Sequence, residues 1–270
     1  MARGCEHLSI VELELLSLVP EALPPRQVAR PLPGRDNTIA VVDERWVIRI
    51  ARTEVARSYH ANEVAVLNKL DGHRVPRPLG VMHCGIVYEH IRGERLTSHA
   101  WHELSHAARR AVAADIRIVL SALHVLPIEA LPDAAEILDR AWVLDSIERC
   151  SSMKPRAPLR FEPARLAERF EAAWANMGEQ KSVVNVDLKP DNLVIDDDRA
   201  SVIDFGGTCL GDPAIDYGIL THHFGEELLD AMDLTGTSLA TRARCYADLY
   251  HLRRCTRGWT RSPETLTSTR

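Results

Sequence analysis

Two acids and one amide with side chains suited to catalysis lie close together in the sequence. Asp187 is followed five residues later by Asn192, and Asp204 comes twelve residues after that. Apolar runs at Leu193–Ile195 and Val202–Ile203 predict strands that hold these side chains in loops open to a cleft. Oxygens of Asn192 and Asp204 suit Mg²⁺, with water and nucleotide phosphates completing its coordination. Asp187 is then left to orient an attacking hydroxyl and accept its proton, as in kinase-type phosphoryl transfer.

Length and composition are those of a globular protein with a substantial core. The 270 residues are 46% hydrophobic and 26% charged, which allows one large domain or two lobes. The net charge of -5 argues against a nucleic-acid partner. Six cysteines form no C-x-x-C pair, and we find no export signal and no apolar run long enough to span a membrane. We therefore expect a cytoplasmic protein with no membrane partner.

Strand patterns dominate the first third of the chain. After a short helix at His7–Leu18, two pairs of strands flank a second helix at Ala56–Leu70, whose apolar residues recur at helical spacing. The expected strands are Thr38–Val42, Trp46–Ile50, Leu79–Met82 and Ile86–His90, and Asp43–Arg45 is the turn of a hairpin.

Helical patterns dominate the remainder. They cover roughly Thr97–Leu126, Ala134–Arg149, Pro163–Met177 and Pro213–Leu252, and the extended block Val183–Gly206 interrupts them. We therefore predict an α+β fold with a small β-rich N-lobe, residues 1–92, and a larger, mostly helical C-lobe, residues 93–270.

The ordered motifs resemble those of the aminoglycoside phosphotransferase family, within the protein-kinase-like superfamily. The resemblance runs from about Pro33 to Phe224 and includes D-x-x-x-x-N at Asp187 and D-F-G at Asp204. It implies a two-lobed kinase-like fold, Asp187 as catalytic base, and Mg²⁺ held by Asn192 and Asp204. Lys189 matches the lysine that faces the transferred phosphate in D-L-K-P-x-N loops.

The resemblance also assigns a cation and its partner to the phosphates of ATP or GTP. Arg49 stands where relatives have Lys or Arg on a strand, and Glu63 stands where the partner glutamate belongs on the next helix. Because Ile48 and Ile50 should face the other side of the pleat, Arg49 can project into the cleft. Asn37 closes Gly34–Asn37, which resembles the start of the nucleotide loop.

Tyr88–Gly93 resembles the hinge that binds the nucleotide base. Tyr88 falls at the gatekeeper position, and the backbone of Glu89–Ile91 would hydrogen-bond the base. A bulky Tyr88 resembles the GTP-using branch of the antibiotic kinases, where it crowds adenine. The alternative is a packed strand aromatic, so ATP and GTP both stay open as donors.

Three departures from the family pattern bear on activity and substrate. Asn185 replaces the usual histidine two residues before the base, which leaves an inactive nucleotide-binding pseudokinase as an alternative. The nucleotide loop has one glycine, Gly34, instead of a glycine-rich cradle. Only seven residues separate Asp204 from Asp212, and no A-P-E follows. A platform for a protein substrate does not fit there, so the acceptor is small.

Charge and family together indicate a cationic acceptor with a hydroxyl group. Residues 1–96 carry a net charge of +1, whereas residues 97–270 carry −6. Glu226, Glu227 and Asp230 lie where relatives recognise amino groups, although a solvated helix face would look the same. An aminoglycoside-like antibiotic is the expected acceptor, which would make the chain a resistance enzyme. An amino alcohol, sugar or natural-product intermediate is the alternative acceptor, and the protein could be a monomer or a homodimer.

Overall fold

The computed structural model describes residues 8–22, 27–29, 36–131, 137–175 and 181–256. The chain divides into two compact units. The first consists of Met1–Glu136 with Ser182–Leu210, and the second of Ile137–Lys181 with Gly211–Arg270. The lobe boundary expected after residue 92 stays a prediction. All candidate residues from Asn37 to Asp204 fall in the first unit.

The N-terminal part of the first unit contains an antiparallel sheet with the strand order β1-β2-β3-β5-β4. Its strands are β1 (Val28–Ala29), β2 (Asn37–Val42), β3 (Trp46–Ala51), β4 (Pro78–Met82) and β5 (Gly85–Glu89). The four expected strands are confirmed to within two residues, whereas β1 was not expected. The hairpin turn between β2 and β3 is confirmed, and Asp43 and Glu44 both adopt left-handed backbone angles there.

The two faces of this sheet differ in polarity. Cross-strand neighbours Ala40, Ile48 and Val87 share one face, which packs against Leu15 and Leu16 of helix α1 (Ile10–Ser17) in a buried apolar cluster. Because successive strand residues alternate between faces, Arg49 belongs to the opposite face. The apolar side of β3 thus stabilises the fold, and its other side is left for a charged group.

Helix α2 (Glu54–Leu67) carries an unusual buried stripe. Thr53 caps its N-terminus by accepting a hydrogen bond from the Ala56 N–H, a contact that contributes about 1 kcal/mol. The buried positions follow helical spacing but include two ionisable side chains, His60 and Glu63. Since such groups are rarely buried without partners, this face of α2 indicates a site.

Two helices, with a break between them, occupy the helical stretch expected at Thr97–Leu126. Helix α3 (Ser98–Glu103) follows the short strand β6 (Glu94–Arg95), and α4 (His106–His124) begins after a break. Leu104 is extended, with ψ 143°, and the Ser105 hydroxyl accepts from the Ala108 N–H. A serine that caps a new helix therefore ends the run of helical spacing.

Helix α4 is tied to the hairpin that follows the candidate base. The strands concerned are β8 (Ser182–Val184), β9 (Leu193–Asp196) and β10 (Arg199–Val202), and β9 pairs with β10. The Asp115 carboxylate on α4 accepts from Arg199 Nε at 2.8 Å and from the Ala200 N–H at 2.9 Å. Asn192 and Asp204 flank this hairpin, so α4 supports both.

The second unit is mostly helical. Its elements are β7 (Ile137–Leu138), α5 (Arg140–Ser151), α6 (Pro163–Trp174), α7 (Ala214–Phe224), α8 (Glu227–Ala231) and α9 (Ser238–Thr256), and β11 (Cys209–Gly211) leads into it. A Cβ on Gly218 of α7 would lie 2.4 Å from Tyr246 Cβ of α9, so only glycine permits this close approach. Arg242 and Asp212 form a buried ion pair at 2.7 Å.

Two expected helices of this unit begin or end differently. The helix expected from Ala134 begins at Arg140, because Asp139 caps it through the Trp142 N–H and Ile137–Leu138 are extended. The helical stretch at Pro213–Leu252 is divided into three helices. In the part of the chain that the structure describes, no helix combines the length and apolar character needed to cross a membrane.

Candidate active site

A strained loop carries the expected base. It follows β8, and Val186 adopts φ 58° immediately before Asp187; Asp204 adopts φ 64° in the second loop. Left-handed backbone angles are uncommon outside glycine and are unfavourable for a β-branched residue such as valine. Such strained positions cluster at active sites. Both loops of the expected constellation therefore carry a local backbone signature of function.

Asp187 is surrounded by donors. Lys189 Nζ lies 2.9 Å from Asp187 Oδ2, and Asn192 Nδ2 donates to the same oxygen at 2.9 Å. Burial raises the pKa of Asp187 above its ordinary value, and the nearby Asp204 adds to the rise. The charge and hydrogen bonds of Lys189, with the hydrogen bond from Asn192, limit it. The carboxylate is thus a stronger proton acceptor than an exposed aspartate.

The orientation of the Asn192 amide follows from its neighbours. Its Nδ2 also donates to the backbone oxygen of Asp187 at 2.8 Å, and only the nitrogen of an amide can donate. Asn192 ends a short 3₁₀ turn, Pro190–Asn192, and is 5% exposed. With the nitrogen directed at Asp187, the oxygen Oδ1 is the atom left to face a cation.

Arg49 joins the sheet to α2 and to the second loop. Its Nη1 lies 2.9 Å from both carboxylate oxygens of Glu63, and its Nη2 lies 3.5 Å from Asp204 Oδ1. The Phe205 N–H donates to Glu63 at 3.3 Å. Burial raises the pKa of Glu63, and the adjacent Arg49 opposes that rise. The structure therefore brings Arg49, Glu63 and Asp204 together, although their spacing in the sequence is large.

Tyr88 is buried beside this pair. Its hydroxyl lies close enough to Glu63 to lower the pKa of that carboxylate, although it falls outside regular hydrogen-bond geometry. In the hinge that follows, the Glu89 N–H donates to the Arg77 oxygen and the His90 N–H to the Arg45 oxygen. The Ile91 N–H has no backbone acceptor among the described residues, and its expected contact with a nucleotide base stays a prediction.

Asn185, the departure from the family histidine, links the loop of Asp187 to the loop of Asp204. It is fully buried; its Nδ2 donates to the Asp204 backbone oxygen at 3.1 Å, and its Oδ1 accepts from the Asp187 N–H at 2.9 Å. One amide therefore serves as both donor and acceptor. Nothing in the sequence indicated that Asn185 would join Asp187 to Asp204.

His60 is a buried polar residue near Arg49 that sequence reasoning missed. It is 5% exposed on α2, and its Nε2 lies 2.8 Å from Asn37 Oδ1. Gly34 and Arg35, also expected in the nucleotide loop, lie outside the described residues. The available signal was His60 itself, three residues before Glu63 and so on the same helix face.

The three acids expected to recognise the acceptor lie in the second unit. Glu226 and Glu227 are exposed at the start of α8, and Glu226 pairs with Arg244 Nε at 2.9 Å. Asp230, also exposed, accepts a hydrogen bond from the Thr235 hydroxyl. Their expected role in recognising the acceptor stays a prediction.

A sequence profile of the family described as "APH: Phosphotransferase enzyme family" matches residues 28–247. The chain belongs to this family. The resemblance read from the motifs is confirmed, and so is the expectation of a phosphotransferase enzyme. The match extends beyond the stretch from Pro33 to Phe224 on which the resemblance rested.

Solved structures of family enzymes share the fold. The GDP and kanamycin complex of APH(2")-IIia is 19% identical, with a TM-score of 0.71, covering 96% of this chain and 95% of its own. The streptomycin–ATP complex of APH(2")-IIa is 20% identical, with a TM-score of 0.66 and coverages of 91% and 89%. The macrolide 2'-phosphotransferase MphH from Brachybacterium faecium is 22% identical, with a TM-score of 0.59 and coverages of 90% and 93%. A comparison with curated protein sequences gives no match. The expected α+β, protein-kinase-like fold is confirmed.

Proposed function

We propose that the chain transfers the γ-phosphate of ATP or GTP to a hydroxyl of a small cationic antibiotic, aminoglycoside-like, and so confers resistance to it. The observation that carries the proposal is the convergence of Asp187, Asn192 and Asp204 within one unit. The Arg49–Glu63 ion pair lies against the same Asp204. This set of side chains matches the requirements of phosphoryl transfer, which depends mainly on positioning and charge.

The residues present fit a magnesium ion. The Asn192 amide directs its nitrogen at Asp187, which leaves Oδ1 for a cation, and Asp204 adds a carboxylate that is 35% exposed. Hard oxygen ligands from one amide and one carboxylate, completed by water and phosphates, are the usual protein contribution to a Mg²⁺ site. When bound, Mg²⁺ supplies charge neutralisation at the nucleotide phosphates.

The surroundings of Arg49 fit a phosphate. Arg49 Nε is buried and makes no hydrogen bond within the described residues, whereas Nη1 and Nη2 face Glu63 and Asp204. The Arg49 side chain is 15% exposed, and a phosphate would contact this exposed part of it. Glu63 thereby keeps the guanidinium in place while one of its edges is left for the nucleotide.

Asp187 is suited to receive the proton that leaves the acceptor. The hydroxyl oxygen forms a bond to the γ-phosphorus, and the bond from that phosphorus to the bridging oxygen of the nucleoside diphosphate breaks. The hydroxyl proton passes to a carboxylate oxygen of Asp187. Lys189, 2.9 Å from Asp187, brings positive charge to the place where the transferred phosphate would carry negative charge.

The preference for a cationic acceptor rests on charge. Residues 97–270 carry a net charge of −6, and Glu227 and Asp230 are exposed acids of the second unit. Glu226 contributes less than expected, because Arg244 pairs with it. The family neighbours solved with kanamycin and streptomycin support an amine-rich acceptor with hydroxyl groups.

The test is a transfer assay with ATP and GTP against aminoglycosides, macrolides, amino alcohols and sugars, with product detected by mass. We expect an aminoglycoside to gain the mass of one phosphate. The rate of this transfer should fall by about 10²-fold or more in Asp187→Asn. Asp191→Asn is the matched control, because Asp191 is an exposed acid in the same loop. Phosphorylation of an amino alcohol or sugar alone would favour the metabolic alternative. Transfer at the wild-type rate by Asp187→Asn would overturn the assignment of the base.

A further inference from the structure

A buried histidine connects the helix that carries Glu63 to the strand that follows the nucleotide loop. His60 lies on α2 and Asn37 is the first residue of β2, where it pairs with Ala51 of β3. Nε2 of His60 lies 2.8 Å from Oδ1 of Asn37, and the imidazole is 5% exposed. Neither residue contributes an atom to the Asp187 loop.

The chemistry of this contact determines which nitrogen carries the proton. The amide oxygen of Asn37 only accepts, so Nε2 of His60 is the donor. The second nitrogen, Nδ1, is buried and has no partner among the described residues. A proton there would add a buried N–H without an acceptor, close to the positive charge of Arg49. Consistent with this, burial and Arg49 lower the pKa of His60 to about 4. The side chain is a neutral, single-tautomer donor at physiological pH.

Helix α2 is therefore attached to two neighbouring strands from one face. Glu63 holds Arg49 of β3, and His60, one turn earlier, holds Asn37 of β2. The two attachments fix the start of β2 relative to the guanidinium that faces the phosphates. Loss of either attachment would change the distance between the start of β2 and Arg49.

We propose that His60 is a positioning residue for nucleotide binding, acting through its Nε2–H bond to Asn37. The bond fixes the position of β2 relative to Arg49, so that a bound triphosphate can contact the guanidinium. The inference rests on the proposed function, because a nucleotide is the ligand that this geometry serves. His60 itself is not assigned a contact with the reacting atoms.

Two amide variants separate the hydrogen bond from the packing of the ring. The terminal nitrogen of glutamine lies as many bonds from Cα as Nε2 of histidine, whereas that of asparagine matches Nδ1. His60→Gln can therefore reach Asn37, and His60→Asn cannot. We expect the dissociation constant of ATP or GTP, measured by calorimetry without acceptor, to rise about tenfold in His60→Asn, as for the loss of one buried hydrogen bond. It should rise less than threefold in His60→Gln, and the KM of the acceptor should stay unchanged in both.

Asn37→Ala provides the second arm and guards against a variant that fails to fold. In that background the difference between the glutamine and asparagine variants should disappear, because their common partner has been removed. His106→Asn, at an exposed histidine on α4, is the control that should bind as wild type. A merely structural role would lower the melting temperature of the His60 variants and leave nucleotide affinity unchanged.

The possible outcomes are distinct. Equal losses in His60→Gln and His60→Asn would show that the ring, and not its Nε2–H, is what matters, and would overturn the inference. Wild-type affinity in His60→Asn or in Asn37→Ala would overturn it as well. If the wild-type chain binds neither ATP nor GTP, the proposed function and this inference fail together. Tight binding by the wild type with equal binding by all variants removes this inference alone.

Discussion

Replacing Asn185 with alanine should impair catalysis as well as folding. In the native structure one amide bridges the backbone of two loops, donating to the Asp204 oxygen and accepting from the Asp187 N–H. Alanine removes both contacts in a place with no exposure to water, since Asn185 is 0% exposed. The Asp187 N–H and the Asp204 carbonyl are then left without this shared partner. Each belongs to a residue whose side chain must be placed accurately.

The expected magnitude follows from these two groups. Leaving a buried donor or acceptor unsatisfied costs about 1–3 kcal/mol, so the pair amounts to about 2–4 kcal/mol after partial relaxation. If about half of this cost applies only when Asp187 and Asp204 must be correctly placed for transfer, kcat falls about 5–30-fold. The remainder lowers stability, and the melting temperature falls by about 2–8 °C for a chain of this size.

Steady-state kinetics and thermal unfolding together test this division. Asn185→His, which brings the family residue, keeps a donor for the Asp204 oxygen and should retain more of kcat than alanine does. Asn68→Ala, at an exposed asparagine after α2, is the control and should match the wild type in both measurements. A large fall in melting temperature with kcat unchanged would refute the reasoning, because Asn185 would then only support the fold. A fall in kcat equal in the alanine and histidine variants would refute the role of the donor.

Three further outcomes are expected. Tyr88→Ala should increase the ratio of ATP use to GTP use, because it removes a buried side chain at the gatekeeper position. Tyr88→Phe should leave this ratio unchanged and remove only the effect of the hydroxyl on Glu63. The same ratio in both variants would contradict the gatekeeper role. Lys189→Met should move the acidic limb of the kcat/KM profile to higher pH, because loss of the cation raises the pKa of Asp187 further and the base must be deprotonated; a limb that moves down would contradict the pairing. Asp115→Asn should lower the free energy of unfolding by about 1–2 kcal/mol in denaturant titrations at neutral pH. Burial alone would raise the pKa of Asp115, but hydrogen bonds from Arg199 and Ala200 hold it below its usual range. The stability that the Asp115 carboxylate contributes is therefore lost as pH falls through this lowered pKa. Plots of unfolding free energy against pH for the wild type and Asp115→Asn should converge in acid.

The proximity of Asp187, Asn192 and Asp204 could be predicted from the sequence because these residues lie in two short segments. Asp187 and Asn192 share one loop, and Asp204 follows the next hairpin, so their spacing alone indicated the site. The alternation of β3 likewise indicated that Arg49 and Ile48 face opposite sides of the sheet. Both are local patterns, which can be recognised from the sequence without a structure.

The contacts missed from the sequence join residues that are distant along the chain or depend on a cap. His60 meets Asn37 across 23 positions, and nothing in the spacing selects that pair from the other polar residues of the region. Asn185 reaches Asp204 through a backbone oxygen, a partner that no side-chain motif records. The break at Ser105 lies within a run of helical spacing. It could not be predicted, because a serine is tolerated inside a helix as well as at its start.

The backbone angle at Asp204 also constrains how this chain can evolve. With φ at 64°, the position suits glycine, asparagine and aspartate and strains most other residues. A change to asparagine would therefore remove the carboxylate without adding backbone strain. A copy of the gene could in this way lose its catalytic activity and still encode a folded nucleotide-binding protein. Val186 presents the opposite case, because its β-branched side chain occupies a left-handed angle that asparagine or glycine would adopt with less strain.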